Sequence, residues 1–305
     1  MRFRRLNLSV LAALFIIPAM GARAGLDVVV TIKPLHSLVA AVTEGLTEPH
    51  LLIRGNASPH TFTMKPSDAR ALQRAALIFR IGPNLETFMN SSRTLLRSGR
   101  VVDLISAQGV ATLPLREHFT ADDAHSHDHG HDRDAPDPHI WLSPANAIAM
   151  VRAISAALSR VDPARMDAFA RNAEKTIEKL SHLEARLKTD LAPVRTSPFF
   201  VYHDAYQYFE KAFSLNAIGA IALGDSRAPG AKRLRAINAE IKKQNVRCVF
   251  VEPQFPPKLA VTLTEGTGAR IATLDPVGAD LPAGPNAYFD LIQNNVRSLV
   301  GCLTR

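Results

Sequence analysis

Apolar residues along this chain fall into two alternating rhythms. Short continuous runs at 28–32, 50–53, 77–81 and 101–105 are separated by stretches near 34–45, 66–75 and 86–98, where apolar positions recur every three or four residues. The first rhythm predicts buried strands and the second predicts helices. It resumes after residue 195, with buried strands at 199–202, 248–251 and 271–274 and helices near 231–244, 257–266 and 286–303. Strands alternating with helices build parallel sheets covered on both faces, so the expected fold is α/β with two lobes.

Between the halves lies a stretch of different character. Asp162 is a good N-cap and Pro163 suits the first helical turn. Met166, Phe169, Ala173, Ile177, Leu180, Leu183, Leu187 and Leu191 then follow at intervals of three and four, one apolar stripe that ends before Pro193. A helix over 163–191 would run about 43 Å at 1.5 Å per residue. Between two α/β lobes it reads as one long rigid helix joining them; a coiled-coil segment is the competing reading. The division expected is 25–160 for the N-terminal lobe, 161–193 for the connecting helix and 194–305 for the C-terminal lobe.

Composition changes this picture little. The 305 residues, 47% hydrophobic and 21% charged, suffice for about two domains with substantial cores, and exclude collagen-like, coiled-coil or wholly disordered chains. A formal charge of +8 invites a nucleic-acid reading until residues 1–24 are inspected. Arg2, Arg4 and Arg5 precede an apolar stretch at 8–20, and Ala22-Arg23-Ala24 closes the segment. That is the layout of a cleaved signal peptide, too short in its apolar part for a membrane span of about 20 residues. Its removal takes four arginines and no acids, leaving a mildly basic chain whose charges are scattered. No nucleic-acid footprint is expected. No cysteine follows the cleavage site, so a lipid anchor is not expected. An oxidising compartment lets Cys248 and Cys302 pair in a disulfide; two isolated buried thiols remain the alternative.

The eleven histidines change the picture more. The stretch 121–138, ADDAHSHDHGHDRDAPDP, holds His125, His127, His129 and His131 among six aspartates and no large aliphatic residue. It reads as a mobile surface loop that captures metal weakly, against an inert solvated loop or a tag-like artefact. A tight site needs ordered ligands. His60 and His203 fall just past predicted strands, His139 opens a Pro-flanked turn before a helix, and Asp275 closes the strand at 271–274. Ligands in open α/β sheets gather at the carboxyl ends of strands. Two candidates come from each half, which places such a site between the lobes. Any one of these histidines alone is equally consistent with a hydrogen-bonded structural role.

The blocks SPHTFTMKPSDARAL (58–72), DPHIWLSPANA (137–147), FVYHDAYQYFEKAF (200–213), VFVEPQF (249–255) and ATLDPVGAD (272–280) together resemble the metal-binding family of ABC-transporter solute-binding proteins, in particular its zinc-uptake members. The resemblance spans essentially the whole chain after residue 24. It implies two α/β lobes joined by a long helix, Zn2+ as transported ligand, a periplasmic monomer, and delivery to an ABC permease in the inner membrane. By motif, His60, His139 and His203 match three histidine ligands. Asp275 matches an aspartate that is a ligand in manganese-type relatives, leaving Asp275 or water as the fourth ligand. Pro59 stands where some zinc members carry a glutamate ligand, and Glu252 reads as a supporting carboxylate. Three neutral nitrogens suit zinc better than manganese. The rivals are a manganese-type binding protein of the same family and a secreted zinc hydrolase, whose three histidines would leave an open position. For the hydrolase only Glu252 and Asp204 are candidate bases and no HExxH motif occurs, so a non-enzyme is expected.

Overall fold

The computed structural model describes residues 25–92, 99–116, 135–222, 229–255 and 258–304. The expected leader and the four histidines at 125–131 lie outside the described residues.

The N-terminal lobe runs β1 (Val28–Val30), α1 (Lys33–Val42), β2 (His50–Leu51), α2 (Pro66–Arg74), β3 (Leu77–Arg80) and β4 (Val101–Asp103). Its sheet has the order β2-β1-β3-β4 and is parallel throughout. Two long helices follow, α3 (Pro144–Val161) and α4 (Met166–Asp190). The C-terminal lobe comprises β5 (Phe199–Val201), α5 (Gln207–Phe213), β6 (Ala217–Ala220), α6 (Ala231–Lys243), β7 (Cys248–Val251), α7 (Lys258–Thr264), β8 (Arg270–Thr273) and α8 (Ala287–Leu303). Its sheet, β6-β5-β7-β8, is again parallel. The two-lobed α/β architecture is thus the one the alternation predicted. No helix among the described residues is long and apolar enough to cross a membrane.

Local chemistry explains where elements begin. Pro66 opens α2, and Asp68 accepts the Lys65 N–H at 2.8 Å. Pro144 opens α3, and Ser143 Oγ accepts the Asn146 N–H at 3.3 Å. Three expectations need correction. The helix predicted near 86–98 is a 3-10 segment at Thr87–Ser92, with 93–98 outside the described residues. β8 is not buried: it is the sheet edge, and Ile271 is 39% exposed. The connecting helix begins with a separate 3-10 turn at Pro163–Arg165, so its regular part has 25 residues and is about 38 Å long.

Within α4, Phe169, Ala173, Leu180, Leu183 and Leu187 are buried as the stripe predicts, whereas Met166 is 51% exposed. The helix packs along α3 and also against α1 and α8. Val30 and Leu35 of one lobe, Leu180 and Leu187 of α4, and Tyr288 and Leu299 of the other lobe share one continuous core. Each such side chain contributes roughly 1.5–3 kcal/mol on burial. The strut is therefore rigid because both lobes are built onto it, together with α3. A disulfide joins Cys248 to Cys302, tying the start of β7 to the end of α8.

Polar bonds also cross between the lobes. Trp141 Nε1 donates to the Pro276 carbonyl at 2.7 Å, and the Tyr288 hydroxyl donates to the Trp141 carbonyl at 2.8 Å. The buried Lys33 ammonium donates to the carbonyls of Gly278 and Ala279. The Trp141 bond fixes the segment following His139 against the loop that follows β8. The Tyr288 bond ties the same segment to α8, and the Lys33 bonds hold the start of α1 to that loop.

Candidate metal centre

Each histidine is positioned by a different local device. His203 lies two residues past β5, and Glu252 directly follows β7, the neighbouring strand. Adjacent parallel strands deliver both groups to the same sheet end, where His203 Nδ1 lies 2.7 Å from Glu252 Oε1. His139 precedes the 3-10 turn Ile140–Leu142 that leads into α3. Asp137 Oδ1 accepts both its backbone N–H, at 2.9 Å, and its ring Nδ1–H, at 2.7 Å. His60 sits in the loop after β2, its backbone N–H directed to Ser58 Oγ at 3.3 Å. His139 and His203 are buried and His60 is half-buried.

The three rings converge. His139 Nε2 lies 3.1 Å from His60 Nε2 and 3.4 Å from His203 Nε2, and one ligand atom from each residue falls within 4.8 Å of the other two. Bonds of about 2.0–2.1 Å in a tetrahedral zinc site separate neighbouring nitrogens by about 3.3 Å. A carboxylate can only accept, so Asp137 and Glu252 hold the ring proton on Nδ1 of His139 and His203. That leaves each Nε2 lone pair facing the common point, the tautomer a metal requires. Pro59, Trp141, Phe255 and Val277 wall the space, a cavity of about 10 Å³, which is room for an ion or a water. Burial raises the Asp137 carboxyl, while the His139 N–H and Arg116 pull the other way and favour the carboxylate.

Among the described residues these histidines are the one group of three or more such side chains arranged to hold a metal. Asp275 is not part of it. Its carboxylate is taken up by its own loop, where Oδ1 accepts the N–H groups of Val277 and Gly278 at 3.0 and 2.9 Å, and Oδ2 accepts that of Ala279. Gln254 donates to Oδ1 as well, at 3.2 Å. The tight turn depends on Gly278, whose φ of +71° disfavours any side chain. Of the two candidate hydrolytic bases, Glu252 is paired with His203 and Asp204 with Arg116.

Other residues of the site carried weaker sequence signals. Asp137 falls at the end of the stretch expected to be a mobile loop, one residue before its last, yet it is 1% exposed and orients His139. Its clue was proximity to His139 in the DPH triplet. Gln207 and Tyr208 fall in the block 200–213 but carried no signal of this role, and Arg116 carried none at all, since their partners lie 70 to 95 residues away.

Comparison with known proteins bears on these observations. Residues 28–302 match the family model ZnuA, described as zinc-uptake complex component A, periplasmic. A high-affinity zinc uptake system protein ZnuA from Brucella suis is 40% identical, with 93% of this chain and 93% of that protein covered. The protein of the same description from Yersinia pestis is 33% identical, with coverages of 90% and 91%. A crystal structure of ZnuA superposes with a TM-score of 0.77 at 25% identity, covering 91% of this chain and 99% of that one.

Proposed function

The chain belongs to the ZnuA family of periplasmic zinc-uptake components, and on that footing we propose that it captures Zn2+ between its lobes and delivers it to an ABC permease in the inner membrane. The observation that carries this reading is the convergence of the His60, His139 and His203 Nε2 atoms at tetrahedral spacing. In this reading the three imidazoles replace water on the ion, and a water completes the tetrahedron because Asp275 is engaged by its own loop. Three nitrogens and no carboxylate favour zinc over manganese, which prefers oxygen ligands.

The remaining assignments follow from the same proposal. Residues 1–24 are a leader removed on export, 25–160 and 194–305 are the lobes, and 161–193 is the helix between them. The protein acts in the periplasm as a monomer and without catalysis. His125, His127, His129 and His131 raise the local zinc concentration or sense excess zinc. Deletion of 121–135 then lowers zinc stoichiometry, and unchanged stoichiometry would remove that role.

The test of transport is zinc accumulation under zinc limitation in cells that contain the permease but lack this chain. Wild type restores uptake and His139→Ala does not. Uptake restored equally by both would refute capture at this site.

A further inference from the structure

Resting on the metal reading above, we propose that Gln207 and Tyr208, at the start of α5, are positioning residues that lock the orientation of His139 to the C-terminal lobe. Asp137 is the link. Its Oδ1 is committed to His139, which leaves Oδ2 and the backbone carbonyl. The other lobe engages both: Gln207 Nε2 donates to Oδ2 at 3.3 Å, and the Tyr208 hydroxyl donates to the Asp137 carbonyl at 2.8 Å.

The same two side chains also hold the facing strand of a short ribbon. Pro114 and Pro136 form an antiparallel bridge. Gln207 Nε2 donates to the Pro114 carbonyl at 3.0 Å, and the Tyr208 hydroxyl accepts the Leu113 N–H at 2.9 Å. Arg116, at the end of that ribbon, pairs with Asp204 and with Glu210. The short stretch 203–210 thus carries His203 together with Gln207 and Tyr208, which hold the support of His139, and Asp204 and Glu210, which anchor the ribbon through Arg116. Histidine ligands on opposite lobes are aligned by one hydrogen-bonded relay. A movement that draws α5 away from the ribbon would free Asp137, let the His139 ring turn, and weaken the grip on the ion. Local loosening of α5 from the ribbon and zinc release are coupled through this relay.

The experiment measures zinc dissociation by chelator competition for the wild type, Gln207→Leu, Tyr208→Phe, Asp137→Ala and the Gln207→Leu/Asp137→Ala pair. Thermal unfolding of each zinc-free protein controls for folding. Outer hydrogen-bond partners of metal ligands are worth about 10- to 100-fold in affinity. Gln207→Leu and Tyr208→Phe should each speed dissociation about tenfold, and Gln207→Leu should add less than about twofold once Asp137 is alanine. Single variants that release zinc at the wild-type rate would overturn the proposal. So would a Gln207→Leu effect of undiminished size in the Asp137→Ala background, because Gln207 would then act by another route. If Asp137→Ala does not fold, the visible d–d spectrum of the Co2+-loaded protein decides: a shift for Gln207→Leu supports the relay and an identical spectrum refutes it. A wild type that binds no zinc would refute the metal reading and this inference together, whereas zinc binding with unaffected variants refutes the relay alone.

Discussion

The Nε2 atoms of His60 and His139 lie 3.1 Å apart although 79 positions separate the residues in the chain. Two nitrogen lone pairs at that distance need a proton or a cation between them. Protons and zinc therefore compete for the same atoms. Metal binding requires neutral imidazole, so acid favours the proton and neutral pH favours the metal. Zinc affinity is predicted to fall as the pH is lowered from about 7.5 to about 5.5, because protons then compete with the metal for the same nitrogens. A titration series across that range checks it, and an affinity independent of pH would show that these rings are not the ligands.

Glu252 holds the proton of His203 on Nδ1. Glu252→Gln keeps an acceptor near the ring but removes the negative charge. Zinc binding should weaken about tenfold, at the low end of the range for such partners. Competition with a chelator of known affinity measures it, and wild-type binding would reduce Glu252 to a packing role.

Asp275 accepts N–H groups of its own loop. Asp275→Asn retains one carbonyl oxygen for the turn but weakens it as an acceptor. The prediction is a lower thermal midpoint with zinc affinity within about threefold of wild type, since a hydrogen bond to a charged group is worth about 1.5–3 kcal/mol. A large loss of affinity at unchanged stability would make the carboxylate a ligand after all.

The Cys248–Cys302 bridge closes a span of 54 residues far in sequence from the three histidines. Replacing both cysteines with serine should cost up to about 4 kcal/mol of unfolding free energy and leave zinc affinity unchanged. Denaturant unfolding and zinc titration of the same variant separate the two effects.

Much of this was legible in the chain because hydrophobic period reports directly on strand and helix. β7 and α6 match the pattern within a residue. β6, Ala217–Ala220, escaped because its single β-branched residue, Ile218, stands among Ala and Gly, which are depleted in strands. α3 was visible only as a helix of undefined length after His139, and its pairing with α4 is a tertiary fact. At the site, position past a strand end identified His60 and His203, and the DPH turn identified His139. The same reasoning put Asp275 with them; the structure groups the three histidines and shows the Asp275 carboxylate bonded within its own loop, which spacing alone does not report. Asp137 was hidden for the opposite reason: an acidic low-complexity run leads straight into the ordered turn that buries it.

The central claim is that His60, His139 and His203 together hold zinc. Calorimetric titration of Zn2+ into the wild type with residues 121–135 removed, and into the same protein carrying His60→Ala, His139→Ala or His203→Ala, tests it most directly. One tight site is predicted in the parent, with a loss of at least about 100-fold in affinity for each histidine removed, as expected when one of only three protein ligands is lost. Retention of the parent's affinity in all three variants would contradict it.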